Sequence, residues 1–158
     1  MTDNYIGIMI ESLRRKKDVL TDILKLSEEQ SLLLDDPNLE PDTFEKNVNR
    51  KAALIEKLEQ LDTGFESLYD KVKEELESNR DTHKEQIRQM QELIRALTEL
   101  NMQIQATEAR NKEKATAKFA YIRQQAKEIR SSQKIVKEYY NNMMHKAYNE
   151  PHFLDNKK

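Results

Sequence analysis

The feature that most constrains this chain is the near absence of residues that interrupt a helix. Its 158 residues include only two glycines and three prolines, while charged residues make up 35% and hydrophobic residues 37%. A β-rich fold of this length needs frequent turns, and turns are built from Gly, Pro, Asn and Asp. The composition therefore predicts an all-α protein of one domain with a few long helices.

A first helix is predicted from about residue 4 to residue 34, because apolar side chains recur along it at seven-residue spacing. One row contains Ile6, Leu13, Leu20 and Leu34, and an adjacent row contains Ile10 and Leu24. Lys17 is expected to lie along this stripe by extending its charged end to water. The helix then ends between Asp35 and Pro41, since proline lacks a backbone donor and disfavours helical geometry in the residue before it.

A second helix is predicted over about residues 43 to 78, with Asp42 as its N-cap. Three adjacent apolar rows run along it: Phe44, Leu58, Phe65 and Val72; Val48, Ile55, Tyr69 and Leu76; and Leu54, Leu61 and Leu68. A two-stranded coiled coil needs only two rows, so a stripe of this width indicates contact with two neighbouring helices. The expected fold is an elongated antiparallel bundle or coiled coil of three long helices.

A third helix is predicted from about residue 83 to residue 146, after a short turn in which Asn79 takes a left-handed conformation. Its heptad spacing fades between Gln105 and Lys114, which indicates a bend or a change of partner. Residues 1–146 would form the bundle, and residues 147–158, polar and interrupted by Pro151, a flexible tail.

The length of the third helix leads to a hypothesis about function. At 1.5 Å per residue it would measure about 95 Å, against roughly 45 to 55 Å for each of the other two. Cover from the shorter helices would run out near residues 117–120, whereas the apolar pattern continues beyond them. The candidate partner-binding residues are those of the uncovered stripe: Phe119, Ile122, Ile129, Val136, Tyr139, Tyr140 and Met143.

Something is expected to cover this stripe, because leaving it in water forfeits about 1.5 to 3 kcal/mol for each large side chain that could be buried. One cover is the chain itself, folded back at residues 105–114 to make a four-helix bundle. The others are a second copy of the chain, which would make a homodimer, or a helix of a different protein. Either of the last two makes the C-terminal region a binding element.

Charge is unevenly distributed, although the net charge is only −2. Residues Glu28 to Glu85 contain 17 acidic and 8 basic residues, net −9, whereas Arg110 to Lys137 contain 9 basic and 2 acidic residues, net +7. The basic segment, with aromatic residues among its charges, makes nucleic-acid binding an alternative. Neutralisation between packed helices is the simpler explanation.

No catalytic, cofactor or metal site is predicted. The chain has no cysteine, and its histidines, His83, His145 and His152, lack both the helical spacing of a zinc protease and the Glu-x-x-His pattern of di-iron bundles. Two isolated glycines do not make a phosphate-binding loop. No basic and apolar leader and no uncharged membrane-length stretch is present, so the expected location is the cytoplasm.

The second predicted helix resembles the central helix of flagellar export chaperones of the FlgN type. The similarity lies in the string RKAALIEKLEQLDTGFESLY from Arg50 to Tyr69, in the N-terminal helix, in the chain length and in the ending FLDNKK from Phe153 to Lys158. Flagellar chaperones of the FliT type have similar helices and are the alternative family.

This resemblance implies a cytoplasmic chaperone of flagellar type III secretion that binds the terminal helical segments of hook–filament junction proteins. The family binds such clients through its C-terminal helical part, which corresponds here to the stripe from Ile122 to Met143. A tyrosine near that region contacts the export gate in some members, and Tyr139, Tyr140 and Tyr148 all match by position. The alternative from the residues alone is a homo-oligomeric coiled-coil scaffold.

Overall fold

The structure is a computed structural model that describes residues 2–125 and 139–142. It contains three long helices: α1 (Thr2–Asp35), α2 (Pro41–Ser78) and α3 (Lys84–Gln125). The predicted all-α bundle of three long helices is confirmed, and α1 and α2 begin and end within two residues of the predicted bounds. Residues 126–138 and 143–158, which include most of the remaining predicted third helix and the predicted tail, lie outside the described residues.

The turns between the helices differ in detail from the prediction. Pro41 is the first residue of α2, preceded by Glu40 in an extended conformation without a side-chain cap, so the predicted N-cap at Asp42 is wrong. Proline suits this position because the backbone N–H of the first helical residue has no hydrogen-bond partner within the helix, so its absence costs nothing. Asn79 is not left-handed, with φ −123. Its side chain instead donates a hydrogen bond of 2.7 Å to Glu75.

The first helix is the centre of the bundle. Both α2, which runs antiparallel to it, and α3, which runs parallel to it, pack along α1 rather than along each other. The α1–α2 connection and the end of α3 lie at one end of the bundle, called here the Pro37 end. The start of α1 and the α2–α3 turn lie at the other, called the His83 end. Among the described residues, α1, α2 and α3 thus take three of the four positions of a four-helix bundle.

The apolar core fills the space between the three helices over most of their length. Four of its side chains have no exposed surface at all: Leu20, Ile23, Leu58 and Ile104. A second, smaller apolar cluster lies at the Pro37 end. The buried positions follow the seven-residue spacing of the sequence, as expected for long helices that pack side by side.

Polar side chains, each at most 1% exposed, separate these two apolar clusters in what is called here the central polar layer: Ser27, Gln30, Asn47, Lys51, Glu108 and Asn111. The Lys51 ammonium is paired with the Glu108 carboxylate. The Ser27 hydroxyl donates a hydrogen bond of 2.6 Å to the same carboxylate. This layer links all three helices, because Ser27 belongs to α1, Lys51 to α2 and Glu108 to α3.

The amide side chains of the central polar layer complete its hydrogen bonding. Gln30 donates to the Asn47 side chain at 3.1 Å, and Asn47 donates to the Leu26 carbonyl at 2.9 Å. Asn111 donates to the Ser27 carbonyl at 2.8 Å and to the Gln30 side chain at 3.2 Å. Buried amides and charges are retained in a core when partners of this kind compensate for lost water.

The central polar layer explains why the apolar pattern fades between Gln105 and Lys114. Glu108 and Asn111 face the core at the positions where the heptad spacing calls for apolar residues, and α3 continues through this interval without a break. The predicted bend or fold-back at residues 105–114 is therefore wrong. The seven-residue spacing of the buried positions continues through this interval, but the buried side chains are polar instead of apolar.

A further buried ion pair lies nearer the His83 end. The Lys16 ammonium is 2.6 Å from the Asp62 carboxylate, and both side chains are almost fully buried. Lys17, which was expected to lie along the apolar stripe, is exposed. Asp62 occupies the place between Ile55 and Tyr69 in its heptad row, so a charged pair replaces one apolar layer here as well.

Candidate functional site

The fourth position, which α1, α2 and α3 leave unfilled, forms a groove between α2 and α3, called here the α2–α3 groove. Cavities at both ends of the bundle have walls from α2 and α3, with α1 beneath the cavities nearer the His83 end. Between the two ends, the Lys51–Glu108 pair connects α2 to α3. Grooves between bundle helices are common places for a further helix to bind.

At the His83 end the α2–α3 groove is open and largely apolar. It holds a cavity of about 490 Å³, whose apolar lining includes Met9, Phe65, Tyr69, Ile87, Met90 and Ile94. The rings of Phe65 and Tyr69 are parallel, with centroids 6.5 Å apart. Tyr69 is 41% exposed and Ile94 is 47% exposed, so this apolar wall faces solvent in the single chain.

At the Pro37 end the same groove contains two tyrosines from the C-terminal region. Tyr139 and Tyr140 pack, half-buried, against a cluster whose buried members are Leu34, Phe44, Val48, Ala115 and Phe119. The Phe119 ring meets Phe44 at 6.1 Å and Tyr140 at 5.8 Å, both in edge-to-face geometry. Such aromatic pairs are worth about 0.5 to 1.5 kcal/mol beyond the area they bury.

Each tyrosine also makes one contact with a charged residue at the rim of the groove. The Tyr139 hydroxyl donates a hydrogen bond of 3.3 Å to Glu45 on α2, and the Arg123 guanidinium of α3 lies 5.4 Å from the centre of the Tyr140 ring. Burial raises the pKa of Tyr139 above its ordinary value, and the negative charges of Glu45 and Asp42 raise it further. The neutral phenol is therefore the form that fits this site.

The contact between Phe119 and Tyr140 excludes a single straight helix through both residues. They are 21 residues apart in the sequence, and a straight helix would separate them by about 31 Å. Their rings are 5.8 Å apart. Tyr139 and Tyr140 therefore lie back at the Pro37 end, and α3 itself has no fold-back at residues 105–114.

The structure brings together four of the seven candidate partner-binding residues. Phe119 is buried in the cluster at the Pro37 end, and Ile122, Tyr139 and Tyr140 pack half-buried against it. The other three candidates, Ile129, Val136 and Met143, lie outside the described residues.

Sequence reasoning missed the open apolar wall at the His83 end. The sequence places Phe65 and Tyr69 in apolar rows of α2, but α2 and α3 do not pack along each other there, so these side chains and Ile94 of α3 are partly exposed. The signal in the sequence was the width of the apolar stripe on α2. A stripe of three rows exceeds what the single close contact with α1 can bury.

Two basic residues of α3 contact the acidic end of α1. Lys114 donates to the Asp35 carboxylate at 2.9 Å and to the Ser31 hydroxyl at 2.7 Å, and Lys118 donates to the Asp36 carbonyl at 2.6 Å. Cations are favourable at a helix C-terminus, where carbonyl groups carry partial negative charge. These contacts favour neutralisation between helices over a nucleic-acid surface.

Within the described ranges, no cluster of three or more His, Asp or Glu side chains is placed to ligate a metal ion. Over the same residues, no helix has the length and apolar character needed to cross a membrane.

Comparison with known proteins identifies one family. A family model described as FlgN protein matches residues 1–150, which is nearly the whole chain. No match was found among curated proteins or among solved structures. The match includes α1, α2, α3 and the two tyrosines at the Pro37 end. The chain therefore belongs to the FlgN family, a family of flagellar export chaperones.

Proposed function

We propose that this protein is a cytoplasmic chaperone of flagellar type III secretion that binds the terminal helical segments of hook–filament junction proteins through its C-terminal region. It acts by stoichiometric binding, without catalysis or a cofactor. The family match over residues 1–150 supports the chaperone role. One structural observation supports the position of the site, namely the aromatic cluster that Phe119, Ile122, Tyr139 and Tyr140 form at the Pro37 end.

The chemistry of this cluster suits an apolar face of a client helix. Ile122, Tyr139 and Tyr140 are half-buried, so each keeps part of its surface for a further contact. Tyrosine offers a large apolar ring and a polar hydroxyl with few rotatable bonds, which suits partners of varied sequence. Each large side chain that a client buries here would contribute about 1.5 to 3 kcal/mol.

Binding of this kind explains how a chaperone can hold a client before export. The terminal segments of axial proteins are amphipathic helices that would otherwise associate with one another, and covering their apolar face prevents premature assembly. Release then requires transfer of the client at the export gate. A tyrosine near the C-terminal region, Tyr139, Tyr140 or Tyr148, is the proposed contact with that gate.

The test replaces two candidate residues of the C-terminal stripe together, as Ile129→Asp with Val136→Asp. Loss of two apolar contacts of about 1.5 to 3 kcal/mol each is expected to weaken the binding of a terminal helical peptide by about 100-fold or more. Titration calorimetry with the full chain measures this. The free energy of unfolding is expected to change little, because the stripe serves the client rather than the core.

Tyr121→Ser is the matched control, since Tyr121 is on α3 in the same region but is 63% exposed. It is expected to bind the peptide as the wild type does. Two results would contradict the proposal. Unchanged peptide binding by the double variant would place the client elsewhere, and a loss of several kcal/mol in unfolding free energy would place Ile129 and Val136 in the internal core.

A further inference from the structure

We infer that the charged residues beside the aromatic cluster at the Pro37 end decide the direction in which a client helix lies there. Glu45 on α2 and Arg123 on α3 are the specificity-determining pair. The partner they fit is an amphipathic helix with basic residues along one flank of its apolar face and acidic residues along the other. The inference rests on the proposed function, and it adds the chemistry and the orientation of the helix that this site binds.

The two docked tyrosines show which residues a helix in this place meets. Tyr139 and Tyr140 belong to a helical turn, residues 139–142, that lies in the groove. The Tyr139 hydroxyl donates a hydrogen bond of 3.3 Å to the Glu45 carboxylate, on the α2 side. The Tyr140 ring lies 5.4 Å from the Arg123 guanidinium, on the α3 side. A further helix packed over these rings therefore has a carboxylate along one edge and a guanidinium along the other.

The charges at these two edges remain available to a partner. Glu45 accepts its hydrogen bond from a neutral phenol, and Arg123 donates one of 3.4 Å to the Phe119 carbonyl. Within the described part of the chain, neither residue belongs to an ion pair. The nearby Lys114, by contrast, is 2.9 Å from the Asp35 carboxylate. Charges of this kind beside an apolar site steer and orient the partner that binds there.

Each edge carries more charge than one residue supplies. Asp42, about one turn before Glu45, is exposed on α2. Burial first, and then the charges of Glu45 and Asp42, raise the pKa of Tyr139, so both carboxylates act on this place. From Arg110 to Gln125, α3 has five basic residues and one acidic residue, Glu113. The α2 edge of the client site is thus negative and the α3 edge positive.

Opposite charges at the two edges select the direction of a bound helix. When an amphipathic helix is reversed end for end with its apolar face still on the cluster, the flank that faced α2 comes to face α3. A helix with oppositely charged flanks therefore meets complementary charges in one direction and like charges in the other. The client helix is consequently expected to lie in the direction that places its basic flank beside Glu45.

The first experiment measures the affinity of the full chain for a terminal helical peptide of a hook–filament junction protein, by titration calorimetry. Glu45→Arg and Arg123→Glu are each expected to weaken binding about 3- to 10-fold, because each replaces an attraction at the edge of the site by a repulsion. The loss is expected to shrink at high salt, which screens exposed charges. Unchanged affinity in both variants would overturn the inference.

Lys46→Glu is the matched control for this experiment. Lys46 is exposed and adjoins Glu45 in the sequence, but it lies about 100° further around α2. Its reversal changes the net charge of the same segment without changing the edge of the client site. This variant is expected to bind the peptide as the wild type does.

The second experiment determines the direction of the bound helix. Two designed helical peptides have the same leucine face, and the lysine and glutamate flanks of the first are exchanged in the second. Each carries a nitroxide spin label at its N-terminus, which broadens the amide NMR signals of nearby protein residues. The two peptides are expected to bind in opposite directions. One is expected to broaden signals around Leu39, at the tip of the Pro37 end, and the other signals around Ile55, further along α2.

The chain with both Glu45→Arg and Arg123→Glu is expected to invert this result, so that each peptide broadens the signals that the other broadened before. Residues that only stabilised the fold would not produce such an inversion. Peptides that bind without a preferred direction, or in a direction that survives the double change, would overturn the inference and leave the proposed function standing. A wild type that binds none of the peptides would overturn both.

Discussion

The two ends of the α2–α3 groove are built from the same helices and differ in what lies between them. At the Pro37 end, Tyr139 and Tyr140 occupy the groove, and Phe119 beneath them is buried. At the His83 end the corresponding space is empty of the chain's described residues, and Ile94 remains 47% exposed. The exposure of these groove residues therefore follows the occupancy of the fourth position.

The rims show that the two ends follow one pattern. Glu45, which accepts a hydrogen bond from Tyr139, precedes Glu66 by 21 residues, or three heptads. Arg123, which lies over the Tyr140 ring, follows Arg95 by 28 residues, or four heptads. Each end of the groove thus has an acidic residue on its α2 side and a basic residue on its α3 side. The comparison teaches that, among the described residues, a groove of one design is occupied at one end and exposed at the other.

The largest effect is expected where the two halves meet, at the central polar layer. Lys51→Ala leaves the Glu108 carboxylate buried without its ammonium partner, and we expect it to lower the free energy of unfolding by as much as about 5 kcal/mol. Urea denaturation measures the loss. Lys57→Ala, an exposed lysine on the same helix, is the control and is expected to change stability by less than about 0.5 kcal/mol.

A second variant removes both charges of the Lys51–Glu108 pair instead of one. The combined change Lys51→Met with Glu108→Leu removes both charges, and we expect stability close to that of the wild type. A double variant as unstable as Lys51→Ala would show that the hydrogen bonds from Ser27 and Gln30, rather than the ion pair, hold the layer together.

A direct contrast between the ends comes from truncating one apolar residue in each. Phe119→Ala is expected to cost about 3 kcal/mol of unfolding free energy, since the ring is buried between Phe44 and Tyr140. Ile94→Ala is expected to cost less than about 1 kcal/mol in the monomer, because half of that side chain is already in water. Equal losses of unfolding free energy in the two variants would contradict the conclusion that the groove is occupied at the Pro37 end and exposed at the His83 end.

The smallest expected effect is a loss, at alkaline pH, of the stability that the docked Tyr139 contributes at the Pro37 end. The pKa of Tyr139 is raised, first by burial and then by the charges of Glu45 and Asp42. A raised pKa in the folded state means that the contribution of the docked tyrosine is complete below its ordinary pKa of about 10 and is lost as pH rises through the folded value. The difference in tyrosinate absorbance between wild type and Tyr139→Phe measures this. A titration at the ordinary pKa would show that the ring is not docked.

The fold was predictable from sequence to the extent that it depends on helix periodicity. Long runs without Gly or Pro, with heptad rows such as Phe44, Leu58 and Phe65, gave α1 and α2 nearly to the residue. The same method misread Gln105 to Lys114, because a heptad position filled by Glu108 does not look apolar even when it is buried. Lys51, which lies between Phe44 and Leu58 in the same heptad row, was left out of that row for the same reason, because a charged residue does not look like a core residue even when it is buried.

The candidate site was predictable in part. Length arithmetic placed the end of cover from α1 and α2 at residues 117–120. In the structure Lys118 reaches the Asp36 carbonyl at the α1–α2 connection, and Phe119 and Ile122 beyond it are packed in the cluster at the Pro37 end. The arithmetic could not show that Tyr139 and Tyr140 return to that end, since this depends on contacts between residues about 20 to 95 apart in the sequence. Nor could it show which partner each apolar row meets, because a row on α2 looks the same whether it faces α1 or solvent.

The position of α1 at the centre of the bundle has a consequence for the order of assembly during synthesis. The N-terminal helices can pair as a hairpin as soon as α2 has been made, and Lys16 meets Asp62 at that stage. Lys51 lacks its carboxylate partner until Glu108, 57 residues later, has left the ribosome. A nascent chain that stops short of α3 thus retains a lysine without its carboxylate partner and apolar side chains that α3 packs against in the finished fold.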